Sequence, residues 1–183
     1  TRYHWFESAR RGHDEILEAR SAVDPSIVHT ITVARAMTLL REDRLVDADS
    51  AIGELRRDVN RARDAARRAQ TSAGKEIDTV AIRAIDSAGL ALLELYRDIK
   101  TGHFDEAIEL FESRMKLMRD QLSTRVADAW ALVARAYDAK ARPTEAATAF
   151  RRATSLAPFA ELSRRYPELV GLDRKFDLPR IPN

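Results

Sequence analysis

The sequence contains no cysteine and little glycine or proline, and each scarcity narrows what the protein can be. Because none of its 183 residues is cysteine, disulfides, thiol nucleophiles and thiolate metal sites are excluded. Glycine and proline number six each, while 45% of the residues are hydrophobic and 33% are charged. This balance is typical of a soluble, mostly helical protein. No apolar run approaches the length needed to cross a bilayer.

The charges of the chain nearly cancel. The formal net charge is +2, so despite a pI of about 9.1 the chain as a whole is not basic in the manner of a nucleic-acid-binding protein. Its length fits one domain with a sizeable core. The chain begins at Thr1 rather than methionine, which leaves an upstream domain or a removed signal open. The expected location is the cytoplasm.

The stretch from residue 127 to residue 158 has the clearest pattern in the chain. Apolar residues recur there at the spacing of one helical face, first at Trp130, Val133, Ala134 and Tyr137 and then at Ala146, Ala149, Phe150, Ala153 and Leu156. The link between the two runs, residues 140–143, is short, and Pro143 suits the first turn of a helix. The sequence therefore predicts two antiparallel helices packed side by side.

This helical pair resembles one tetratricopeptide repeat. The family places a large aromatic, a small residue and a tyrosine on its first helix, then a small, an aromatic and a small residue on its second, with a closing proline. Here those positions hold Trp130, Ala134, Tyr137, Ala146, Phe150, Ala153 and Pro158, at the family's separations. The resemblance implies a helical solenoid that binds peptides or partner helices on a concave side lined by the first helix of each repeat.

Helical periodicity covers most of the remaining chain. Helices are predicted over residues 3–20, from Pro25 with Asp24 as its cap to about Glu42, and over residues 45–69, 76–100, 104–118 and 161–165. Gly12 weakens the interior of the first helix and favours an interruption there. Ser123 and Thr124 are expected to cap the helix that follows them.

The predicted fold is all-α, an antiparallel helical array or tetratricopeptide-like α-solenoid of about seven or eight helices, some of them lengthened. One domain is expected over residues 1–183. It divides into a degenerate helical pair (29–70), a partial repeat (76–120, with the resemblance over 88–118), the clear repeat (124–158) and a C-terminal capping helix (159–177). The partial repeat departs from the family pattern at Asp98, where the usual tyrosine would fall.

Catalytic chemistry is not expected from this sequence. It contains no glycine-rich phosphate loop, no HExxH and no Gly-x-Ser-x-Gly motif. A metal site would require the four scattered histidines, His4, His13, His29 and His103, to converge from distant helices. The favoured function is a non-enzymatic scaffold or adaptor that binds a protein or peptide, without a cofactor or metal.

The resemblance also implies which residues would line the binding groove. They are Met37 and Arg41 in the degenerate pair, Tyr96 and Lys100 in the partial repeat, and Asp128, Arg135 and Asp138 in the clear repeat, where Ala131 is also expected to be exposed. The basic members would bind carboxylates of the partner. The alternative for Tyr96 is burial by neighbouring helices.

Two other functions remain open. Leu45, Ala48, Ile52, Leu55, Val59, Ala62, Ala66 and Ala69 form a heptad seam that could pair between two copies of the chain and make a homodimer. The arginine-rich stretch from residue 54 to residue 68 could hold nucleic-acid phosphates. Against nucleic acid, Asp58 and Asp64 interleave with the arginines, and no aromatic side chain lies among them.

Overall fold

The prediction of an all-α protein is confirmed. The structure, a computed structural model, describes residues 2–19, 22, 24–73 and 87–176, and no strand occurs among them. Nine α-helices lie in these residues: α1 (Arg2–Glu18), α2 (Pro25–Arg41), α3 (Leu45–Ser72), α4 (Ala88–Thr101), α5 (Phe104–Gln121), α6 (Val126–Ala139), α7 (Pro143–Leu156), α8 (Phe159–Arg165) and α9 (Leu172–Lys175). Short 3-10 turns occupy Ser123–Arg125 and Pro167–Leu169. The sequence also predicts an extended tail over residues 178–183, which lies outside the described residues.

The chain forms two compact units, residues 1–93 and residues 94–183. The sequence predicted a single domain of 183 residues. The boundary between the units falls within α4.

The first unit packs α1 and α3 on α2. The α2 helix begins as predicted, because the Asp24 carboxylate accepts a 2.8 Å hydrogen bond from the Ser26 amide and Pro25 occupies the first turn. Its buried side chains include Ala36, Met37, Leu39 and Leu40. Those of α3, which packs on α2, include Ala48, Ala51, Ile52 and Leu55. The expected interruption of α1 is wrong, since the helix runs through Gly12 without a break.

Only the first half of α3 is used by the core. The predicted long helix is confirmed and extends to Ser72, but its buried residues end at Val59. Beyond that residue, Ala62 and Ala69 are exposed and Ala66 is half-buried. The heptad seam therefore packs in the core up to Val59, and beyond it consists of alanines that are exposed or half-buried.

The prediction of one unbroken helix from residue 76 to residue 100 is wrong, because Ser87 is not helical. Residues 76–86 lie outside the described residues, and α4 begins only at Ala88. The Ser87 hydroxyl accepts the Leu90 amide at 3.1 Å, as an N-cap does, and bonds the His29 ring at 2.8 Å. Glycine suits position 89, because a Cβ there would lie only 3.2 Å from a methyl group of Val33.

The second unit contains the helical pair that has the clearest sequence pattern. Its link and Pro143 lie as predicted, and Ala146, Ala149, Phe150 and Ala153 of α7 are buried against α6. The predicted cap at Ser123 and Thr124 is wrong, because neither side chain caps α6 and a 3-10 turn enters the helix instead. Gly102 makes the predicted turn between α4 and α5 with a φ of 77°.

We expect the first unit to lose stability as the pH falls through the titration of His13. Burial lowers the pKa of His13, with the Asp14 carboxylate opposing the shift and the Arg35 guanidinium adding to it. The folded protein therefore binds this proton less tightly than the unfolded chain does, and stability is lost on going down from the ordinary pKa of about 6.5. Urea unfolding at pH 7.5 and pH 5.5 measures the loss. The variant His13→Gln should lose less, and an equal loss in both proteins would contradict the assignment.

Candidate functional site

The predicted groove residues of the second unit lie on α4 and α6, and they meet another part of the same chain. Tyr96, Lys100, Asp128 and Asp138 each contact a side chain between residues 165 and 175. We call residues 159–176, which comprise α8, a 3-10 turn and α9, the C-terminal segment. This segment covers the face on which the sequence predicted a bound partner.

Asp128 is the centre of a buried polar cluster. Its carboxylate is fully buried and accepts a hydrogen bond of 2.9 Å from the Tyr166 hydroxyl. Arg165 places a guanidinium nitrogen 2.8 Å from the other carboxylate oxygen, and Arg125 donates to Asp128 at 3.3 Å. The prediction that Asp128 and Ala131 are exposed is wrong, since both are fully buried. Two cations and a hydroxyl instead compensate the buried charge.

Tyr96 and Lys100 form the second contact with the C-terminal segment. The Tyr96 ring packs edge-on against the Tyr166 ring with centroids 4.9 Å apart, and its hydroxyl donates to the Glu168 carboxylate at 3.2 Å. The Lys100 ammonium lies 2.9 Å from the same carboxylate, and only 8% of its side chain is exposed. Tyr96 is fully buried, which was the alternative interpretation from the sequence.

The contact of the C-terminal segment with this face is too large for a removable lid. Leu162, Tyr166 and Leu169 are fully buried, and Leu172 nearly so. Side chains buried this completely are typical of a domain core, whereas segments that open readily have few buried apolar contacts. The segment is part of the fold.

Four side chains at the edge of the covered face form a partly exposed group that we call the Arg135 rim: Phe104, Arg135, Asp138 and Lys175. The Arg135 guanidinium lies over the Phe104 ring, 5.5 Å from its centroid, and 3.8 Å from the Asp138 carboxylate. Lys175 pairs with the same carboxylate. One third of the Arg135 side chain and over half of the Lys175 side chain remain exposed. The rim therefore presents two partly exposed cations, of which Arg135 lies over an aromatic ring.

Tyr137, on the same helix as Asp128, is not an acid or base at neutral pH. Burial raises its pKa to about 12, and the hydrogen bond of 3.0 Å that its hydroxyl donates to the Glu112 carboxylate adds to the shift. The Arg142 guanidinium lies 4.6 Å from the ring centroid and opposes the shift weakly. The phenol stays protonated and joins α5 to α6.

The first unit does not bring its two predicted groove residues into an open site. Met37 is buried in the core of that unit, with 4% of its surface exposed. Arg41 is half-buried near the end of α2. Met37 therefore acts in packing, where its flexible thioether suits an irregular gap.

Sequence reasoning missed the residues that cover the groove, Arg165, Tyr166, Glu168 and Lys175. The short helix ends before Pro167, as predicted, and Leu169 and Leu172 are buried. That this segment caps a helical stack stays a prediction. The available signal was a tyrosine flanked by charges of both signs beside an apolar stripe. That composition suits a segment that packs on a polar helical face. Phe159 and Phe176 near its two ends also pack on Phe150 of α7.

The described residues hold no group of three or more histidine, aspartate or glutamate side chains that could bind a metal ion. Within the same residues, no helix has both the length and the apolar character that crossing a membrane demands.

Comparison with known proteins gives no relative on which to base a function. No family model, no curated protein and no solved structure matches the chain.

Proposed function

We propose that the protein is a non-enzymatic interaction module of tetratricopeptide-like helical pairs, and that it binds a peptide or protein partner at the Arg135 rim. One observation carries the proposal. The face of α4 and α6 already holds a peptide segment, its own, through ion pairs, hydrogen bonds and a tyrosine pair. Such contacts are those that helical grooves use for bound peptides.

The partner binds beside the C-terminal segment rather than in its place, because the segment is part of the fold. Arg135 and Lys175 are exposed enough to bind a carboxylate of the partner. Phe104 is half-buried and offers an apolar contact next to them. A peptide with an acidic side chain adjacent to an apolar one fits this arrangement.

Site-specific crosslinking tests the proposal. A photoreactive phenylalanine analogue replaces Phe104 in one variant, which leaves Arg135 and Lys175 in place, and Arg152 in another. Both proteins are irradiated in nuclease-treated extract of the native cell. Arg152 lies exposed on α7 and serves as the control position. We expect one protein to crosslink at position 104 and not at position 152. Purified and titrated, this partner should bind the variant Arg135→Glu about tenfold more weakly, since a rim cation is replaced by an anion.

Equal crosslinking at the two positions would contradict the proposal, as would unchanged affinity of Arg135→Glu. Arg135 suits this test better than Tyr96 or Lys100, because both of those side chains are buried against the C-terminal segment. Their replacement would disturb the fold together with any binding.

A further inference from the structure

The net positive charge of the chain arises from one stretch of α3. Residues 56–68 contain six arginines and two aspartates, a net charge of +4, whereas the whole chain carries +2. The remainder of the protein is therefore slightly acidic. A local excess of this kind is the electrostatic footprint of an anionic partner, although the overall charge is small.

The structure exposes this charge. Arg56, Arg57, Arg61, Arg67 and Arg68 are exposed, and Arg63 is half-buried. At 3.6 residues per turn, Arg56, Arg63 and Arg67 share one side of the helix, and the other three share the adjacent side. Together they cover an arc opposite the seam of Val59 and Ala62, over a length of roughly 18 Å at 1.5 Å per residue. We call these six residues the arginine surface.

Pairing within the protein leaves part of this charge available. Asp58 pairs with Arg61, an exposed contact one turn along the helix. Arg57, Arg67 and Arg68 form no ion pair with any described residue. Exposed pairs such as that of Asp58 contribute little free energy, about 0–1 kcal/mol, so an anionic ligand can replace the aspartate at small cost.

The apolar character of α3 decides what kind of partner fits. After Val46 in its first turn, the helix exposes no large hydrophobic side chain. A protein interface or a second copy of this chain would need an apolar anchor, and the outer seam offers only small alanines such as Ala62 and Ala69. A membrane-surface helix would need large apolar residues opposite its cations. Nucleic-acid interfaces, in contrast, are polar and strongly positive.

We propose that the arginine surface binds double-stranded nucleic acid through its phosphates, without recognition of the base sequence. The helix is about 10–12 Å across with its side chains, close to the width of about 12 Å of the major groove of B-form DNA. The stretch contains no aromatic residue on which unpaired bases could stack, which favours a duplex over a single strand. Asp58 and Asp64 weaken the field, so affinities in the range of non-specific binding, Kd of about 10⁻⁴–10⁻⁶ M at physiological salt, are expected. This site is separate from the Arg135 rim.

Fluorescence anisotropy with a labelled 30-base-pair DNA duplex of mixed sequence tests the proposal between 50 and 200 mM NaCl. The triple variant Arg57→Gln, Arg61→Gln, Arg68→Gln should bind about 100-fold more weakly at 100 mM salt. The slope of log K against log salt should fall by about 2.7, since each lost phosphate contact removes about 0.9. The matched control Arg119→Gln, Arg151→Gln, Arg152→Gln removes the same charge from exposed positions of α5 and α7, and should bind as the wild type does.

Three outcomes would overturn the proposal. They are no binding of wild-type protein to the duplex at 50 mM NaCl, an equal loss in the control variant, and tighter binding to phosphatidylserine vesicles than to the duplex. Helicity of each variant is checked by circular dichroism. If the triple variant loses helicity, the single variant Arg68→Gln, near the end of α3, decides through an expected fall of about 0.9 in the salt slope.

Discussion

Replacing Tyr166 by alanine is expected to lower the free energy of unfolding of the second unit by about 3–5 kcal/mol. The side chain is fully buried, packs edge-on against Tyr96 and donates a hydrogen bond of 2.9 Å to Asp128. The substitution therefore creates a cavity and also removes a donor from a buried carboxylate. Both losses fall on the contact that holds the C-terminal segment in place.

The measurement follows urea unfolding by the fluorescence of Trp130, whose ring lies 4.9 Å from that of Phe111 within the second unit. A Trp5→Phe background makes Trp130 the only tryptophan, so that the signal reports one unit. Two controls separate the causes. Tyr166→Phe removes the hydroxyl alone and should cost about 1–2 kcal/mol. Val170→Ala, at an exposed position of the same segment, should change stability by less than about 0.5 kcal/mol. A similar small change for Tyr166→Ala would show that the segment is not packed as described.

Replacing Asp128 by alanine is expected to destabilise the second unit by about 2–4 kcal/mol. The substitution leaves Arg165 and Arg125 beside a buried space without their anion, and removal of one partner of a buried pair commonly costs about 3–5 kcal/mol. Solvent reduces that cost here, because 22% of the Arg165 side chain and 40% of the Arg125 side chain are exposed.

Asp120→Ala is the matched control, because Asp120 is exposed and pairs with Arg119 at 3.7 Å. Its effect should stay within about 0.5 kcal/mol. The double variant Asp128→Leu, Arg165→Met replaces the buried pair with apolar side chains and should recover part of the loss. If Asp128→Ala were as mild as the control, the buried cluster would not be what holds Arg165 and Tyr166.

Local sequence signals predicted most of the helices. The cap at Asp24, the first-turn prolines and the turn at Gly102 act within a few residues, so propensity and spacing are enough to place them. The break at Ser87, just before α4 begins, has a cause that local sequence signals do not reveal. The Ser87 hydroxyl bonds a histidine 58 positions away and a nearby amide, and the adjacent Gly89 lies close to Val33.

Long-range pairing explains why the candidate groove was predicted only in part. The spacing of Asp128, Ala131, Arg135 and Asp138 correctly placed them on one face of α6, but periodicity gives a face and not what covers it. An aspartate is ordinarily exposed, so the burial of Asp128 depends on Arg165 and Tyr166, which lie more than 35 positions away. In α3, the same heptad continues past Val59 although the packing does not.

Because the C-terminal segment occupies the face of α4 and α6, the exposed side chains at the edge of that face are the ones available to a partner. The proposed partner of the second unit would contact side chains that stay exposed beside the C-terminal segment, and the Arg135 rim has such side chains. The arginine surface of α3 is a different kind of site, with charge but no apolar anchor. The two sites therefore predict partners of different chemistry, which separate experiments distinguish.

Amide hydrogen exchange measured by NMR tests most directly whether the C-terminal segment permanently covers the face of α4 and α6. The Tyr166 amide donates to the Leu162 carbonyl at 2.8 Å, inside the covered face. If the segment belongs to the fold, this amide should open with the same free energy as those of Leu132 and Val133 in the core of α6, within about 1 kcal/mol. An opening free energy several kcal/mol lower would mean that the segment lifts while α6 stays folded, and the account of a permanently filled groove would be wrong.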